Sequence, residues 1–280
     1  MGTTGSTDSF IKRHPITTYY ALVLAISWGG LLIVAGPGGI TAEQTQTPFI
    51  LVYLVTVAGP CVAGILLTGL IDGREGFREF RSRLLSWRVG VRWYAVALLI
   101  APLSVIATLL VLSLTSPVFL PGFITTSDKA SLLVTGLVAG LVTGFLEELG
   151  WTGFAVPRLT SRYGVFATGL LVGILWGAWH FLSNYLGSAT PAGGLPLTIF
   201  LPVLLFSFLP PYRVLMVWVY DRTRSLLVAI LMHASLVTFW LSSTPLAIAG
   251  VPQVTWYLMW AAALWVIVLA VVLMLRKKGL

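Results

Sequence analysis

An all-α, polytopic membrane protein with about eight transmembrane helices is the fold class that the sequence predicts, on three observations. Hydrophobic residues fill 58% of the 280 positions and charged residues only 9%, far below the roughly 25% of a soluble domain. Apolar runs of the ~20 residues that a helix needs to cross a ~30 Å hydrocarbon core recur along nearly the whole length. The basic residues gather in alternate connections, which fits an even number of crossings.

In chain order the runs predict spans at about 16–36, 48–71, 91–114, 130–156, 164–186, 195–219, 224–244 and 254–275. A polar arm over 1–15 carries Lys12 and Arg13, and 16–280 then reads as one helical membrane domain without internal repeats. The first run has no Ala-x-Ala cleavage site, so an uncleaved first helix is expected. Between spans two and three, Phe77, Phe80, Leu84 and Trp87 recur at helical spacing among arginines. That pattern predicts an amphipathic helix along the membrane interface, against anionic lipid. In the sixth run Pro210 and Pro211 are expected to kink or end the helix near its cytoplasmic end, with Arg213 snorkelling outward. Cys61, the single cysteine, reads as a small packing residue in span two.

The formal net charge of +8 is explained by topology. Arg74, Arg78, Arg81, Arg83, Arg88 and Arg92 follow span two; Arg158 and Arg162 follow span four; Arg213, Arg222 and Arg224 attend span six; Arg276, Lys277 and Lys278 close the chain. The opposite connections hold only Lys129. The positive-inside rule then places both termini in the cytoplasm of a multi-pass protein of the cell (plasma) membrane. Lipid is the expected partner of these charges, and no nucleic acid need be invoked.

Among the acidic residues only Glu147 and Glu148 fall well inside a span, since Asp8, Glu43, Asp72, Glu75, Glu79, Asp128 and Asp221 read as loop or interface. Two histidines, His180 and His233, also lie within spans. A charged side chain at a helix centre costs ~2.5–3.5 kcal/mol on insertion scales, so such a set is expected to share a polar cavity. From a turn near Gly164, Glu148 lies 16 residues back and His180 16 forward, at matching depth. His233, nine residues past Arg224, reads as shallower. Adjacent glutamates point ~100° apart on a helix, so one carboxylate is expected to be primary. Glutamate as a general base is one mechanism. A His₂Glu set from Glu147, His180 and His233, binding zinc or another divalent metal, is the other.

The motifs carry a resemblance. Glu147-Glu148-Leu149-Gly150-Trp151 with Pro157-Arg158-Leu159, Trp176-Gly177-Ala178-Trp179-His180 and His233-Ala234-Ser235-Leu236-Val237 resemble the three motifs of the CPBP family. These are the CAAX-protease and bacteriocin-processing (Abi) intramembrane proteases, relatives of the Rce1-type CAAX prenyl endopeptidase. The likeness spans about residues 50–245. It implies an intramembrane endopeptidase acting on a membrane-associated or lipidated protein or peptide, reached from the cytoplasmic side. Glu147 would activate a water with help from His180, His233 would bind or polarise the scissile carbonyl, and Glu148 would support the site.

Two positions depart from the pattern. Thr152 stands where the first motif has arginine, and Arg158, three turns from Glu147, is the expected replacement. Val237 stands where asparagine is usual. These departures motivate a second reading, a catalytically impaired relative acting as a membrane scaffold or immunity protein. A third, a transporter using the acids and histidines as a proton relay, lacks the inverted repeat such folds show.

Overall fold

Helix formation follows the apolar runs closely. In the computed structural model, which describes residues 10–36, 46–187 and 194–277, the elements are α1 (Pro15–Ala35), α2 (Gln46–Ile71), α3 (Gly73–Leu84), α4 (Val91–Ser113), α5 (Lys129–Gly150), α6 (Val156–Trp179), α7 (Phe181–Gly187), α8 (Leu197–Phe206), α9 (Leu209–Thr223), α10 (Leu226–Ser243) and α11 (Gly250–Lys277). Short helical turns at Pro117–Phe119 and Gly122–Thr125 lie between α4 and α5. Asp8, Glu43, Lys278 and most of the 1–15 arm lie outside the described residues.

Among the described residues seven helical stretches are long and apolar enough to cross a membrane. One of them, 129–186, folds back at Gly164, whose φ of 73° lies in the left-handed region that glycine adopts without a Cβ clash. The predicted spans four and five are its two legs. Below α5 the chain passes through a single π-helical segment, Trp151–Ala155, before α6 begins. Such π turns are rare and concentrate at functional sites.

Span six departs from expectation. It is broken in mid-membrane, with α8 ending at Phe206 and α9 starting at Leu209. Pro210 and Pro211 occupy the first turn of α9, where a missing N–H costs nothing because no intrahelical partner exists there. The proline pair therefore opens a helix, and Arg213 is carried inward to complete burial.

The amphipathic segment is helical over α3, as predicted. Phe80 turns inward against Gly153 of the π segment, while Phe77 and Trp87 stay exposed toward the interface. Cys61 is buried in α2.

Two close helix contacts position the centre. α10 packs along α5, and α9 along α6. A Cβ on Gly144 would stand 2.7 Å from the Ile230 carbonyl and 2.9 Å from the Ala234 nitrogen, and one on Gly173 would stand 2.6 Å from Pro210 Cα. Small residues let these backbones meet directly, the usual device where lipid removes any hydrophobic drive between helices.

Candidate functional site

Glu147 and Glu148 end α5, and both are fully buried. Their two sets of partners are unequal. Glu148 is engaged at both oxygens: Oε1 accepts from Arg213 Nη1 at 2.7 Å and pairs with His233 Nδ1 at 2.7 Å, and Oε2 accepts from the Thr152 hydroxyl. Glu147 is half open. Its Oε2 accepts from two indoles, Trp151 at 3.1 Å and Trp176 at 2.8 Å, while Oε1 has no partner among the described residues.

His233 joins the two acids. An ionised carboxylate only accepts, so the contact with Glu148 requires a proton on Nδ1. Nε2 is left without a hydrogen-bond partner, 4.0 Å from Glu147 Oε2. The Trp176 ring stands edge-on to His233, with centroids 5.0 Å apart. This carboxylate-to-imidazole arrangement fixes tautomer and ring orientation as the acid does in a Ser-His-Asp triad.

The depth difference expected for His233 is resolved by the hairpin. α10 starts only at Leu226, capped by the Ser225 hydroxyl, so span seven does not begin early. Instead the turn at Gly164 protrudes. At 1.5 Å per residue, 16 residues against nine amounts to roughly 10 Å of extra height on the basic side.

Arg213 was expected to point outward and instead sits over the Trp176 ring at 4.2 Å, ion-paired to Glu148 with neither side chain exposed. It supplies the cation that Thr152 does not, through a contact between helices. Arg158, the expected replacement, binds Asp72 and the Phe154 carbonyl and stacks over the Phe154 ring at 3.8 Å. It tethers the basic face and does not contact either glutamate. A signal for Arg213 was present: it lies 11 residues before Arg224 and His233 nine after, so both reach similar depth. Reading Pro210 and Pro211 as the cytoplasmic end of span six, and not as the start of a second helix, hid it.

His180 ends α6 beside Trp179, ring centroids 4.5 Å apart. It makes no direct pair with the acids, yet it lines the same cavity as Glu147 and His233, about 360 Å³ in volume. That is within the usual size of a ligand pocket. The other walls are mainly apolar, among them Val57, Leu205, Phe208 and Leu236, with Val237 at the position where the motif has asparagine.

The donors expected for a metal fit poorly as they stand. Among the described residues no three His, Cys, Asp or Glu side chains converge as a ligand set. Arg213 also places a cation within the cluster.

Comparison with known proteins bears out the resemblance read from the motifs. Residues 129–239 match the family described as type II CAAX prenyl endopeptidase Rce1-like. CAAX prenyl protease 2 of Methanococcus maripaludis is 25% identical over 192 residues, 66% of this chain and 69% of the relative. The matched segment contains Glu147, Glu148, Thr152, Trp176, His180, Arg213 and His233.

Proposed function

On the premise of an Rce1-like segment that holds the whole buried cluster, we propose that the protein is an intramembrane endopeptidase using water activated by Glu147. Its substrate is a membrane-associated or lipidated protein or peptide, of the prenylated kind that the relative's name describes. The observation that carries this reading is the asymmetry of the doublet. Both oxygens of Glu148 are engaged, by Arg213, His233 and Thr152, whereas Glu147 Oε1 has no partner among the described residues.

In the proposed reaction Glu147 Oε1 takes a proton from water as the oxygen attacks the scissile carbonyl carbon. His233, held by Glu148 and protonated on both nitrogens, donates Nε2–H to the developing oxyanion. The cluster is then electrically balanced, with Glu147 and Glu148 against Arg213 and His233. Glu147 returns its proton to the leaving amine as the C–N bond breaks. His180, on the cavity wall, orients the water or the leaving group. Glu147, His180 and His233, the set expected for zinc or another divalent ion, do not converge as ligands among the described residues, and no step above is routed through a metal.

Of the two departures behind the scaffold reading, the one at Thr152 is compensated, because Arg213 and the Thr152 hydroxyl together support Glu148, and the other, Val237, lies on the cavity wall. Cleavage of a lipidated membrane peptide by purified protein tests the proposal. Glu147→Gln should lower kcat by about 10²–10⁴ and leave thermal unfolding unchanged; an unaltered rate sinks it.

A further inference from the structure

We infer that Trp176 and Trp151 are positioning residues for the proposed reaction: their indole N–H groups make Oε1 of Glu147 the oxygen that takes the proton, and they keep Glu147 off His233. The inference rests on the reading of Glu147 as the base and names the groups that fit it for that task. Two features of the geometry carry it.

The first is the sense of the contacts. An indole Nε1–H can only donate, so both contacts at Glu147 Oε2, 3.1 Å from Trp151 and 2.8 Å from Trp176, are directed at the carboxylate. Each carboxylate oxygen offers about two lone-pair positions, and the two indoles fill those of Oε2. A proton taken from water must therefore settle on Oε1, which has no partner among the described residues.

The second is the separation from His233. Glu147 Oε2 lies 4.0 Å from His233 Nε2, beyond hydrogen-bond reach. With both imidazole nitrogens protonated, as the proposed reaction requires, an unheld carboxylate would close that gap and take Nε2–H in a charge-assisted bond. One contact would then consume both the base and the oxyanion donor. The indoles give Oε2 the donors that it would otherwise find there.

The rings are themselves fixed. Both are buried, and Trp176 carries Arg213 over its face at 4.2 Å while its edge meets His233 at 5.0 Å. Trp151 is boxed in by Tyr19, Tyr20 and Trp179, with ring centroids 5.7, 5.6 and 5.7 Å away. Tyr19 and Tyr20 come from α1. A helix outside the matched residues 129–239 thus reaches the site through Trp151.

Exchange of a single ring member separates this role from packing. 3-Benzothienylalanine keeps the size and the aromatic face of tryptophan but carries sulfur in place of N–H. Incorporated at position 176 of the full chain, it should lower kcat for a lipidated peptide by about 10² and leave KM within roughly two-fold, because a released carboxylate is displaced by ~1 Å. The same exchange at position 151 should act in the same direction. Wild-type kcat for the 176 variant would mean that the ring only packs, and overturns the inference; so does a loss carried by KM alone. If the 176 variant does not fold, the 151 variant decides by the same criteria. Glu147→Gln in the same assay keeps the two readings apart. Inactive beside an unimpaired 176 variant, it removes the positioning role alone; at the wild-type rate, it removes the base itself.

Discussion

Replacing Arg213 by methionine removes the guanidinium from Glu148 while filling much of the same volume over Trp176. Both partners of this ion pair are wholly buried, with Nη1 2.7 Å from Oε1. Removing one member of such a pair costs ~3–5 kcal/mol, because the other charge is left uncompensated in a medium that solvates it poorly. Glu148 keeps His233 and Thr152 as donors, which places the expected loss near the lower end, about 3 kcal/mol. For a chain of this size that corresponds to a fall of about 6–12 °C in the unfolding midpoint. Tryptophan fluorescence of the detergent-solubilised protein would follow it, with peptide cleavage measured in parallel. The informative companion is Arg213→Met combined with Glu148→Gln. Neutralising the stranded acid should restore most of the midpoint but not the activity, because His233 then loses the carboxylate that orients it. An unchanged midpoint for the single variant, or a double variant less stable than the single, would refute the pairing argument.

Other outcomes follow from the same geometry. Thr152→Arg, which installs the usual motif residue, should reduce the yield of folded protein sharply, since the position is buried and its partner Glu148 is already paired with the buried Arg213; adding Arg213→Met should recover it, and wild-type behaviour of the single variant on size-exclusion chromatography would disprove the crowding. Gly144→Leu should part α5 from α10, since backbone atoms leave no room for its Cβ. A displacement of ~1 Å between Glu148 and His233 should cost about 10² in kcat, and retention of the wild-type rate would show that the contact is not what sets the site. Dialysis against a strong chelator should leave cleavage intact, because the donors do not form a ligand set; loss of activity restored by added zinc would reinstate the metal route.

Much of the membrane architecture was legible because its causes are local. Hydrocarbon thickness sets span length, and backbone hydrogen bonds must close within each span. The run drawn at 91–114 is therefore α4 at Val91–Ser113, and that at 224–244 is α10 at Leu226–Ser243. The break in span six was less legible. Pro210 and Pro211 fit equally well at the end of one helix or in the first turn of the next, and only packing of α9 against Gly173 of α6 decides between them.

The same division runs through the site. The sequence by itself determined that Glu147, Glu148, His180 and His233 are the costly polar groups within apolar spans, because the penalty for placing them there depends on residue type and position alone. Which carboxylate is engaged at both oxygens and which at one is a different kind of fact. It depends on Arg213, Trp176 and His233 arriving from three other helices at distances set by glycine contacts. Only the tertiary structure could therefore separate the adjacent glutamates into a fixed acid that orients His233 and a half-free one that faces the cavity.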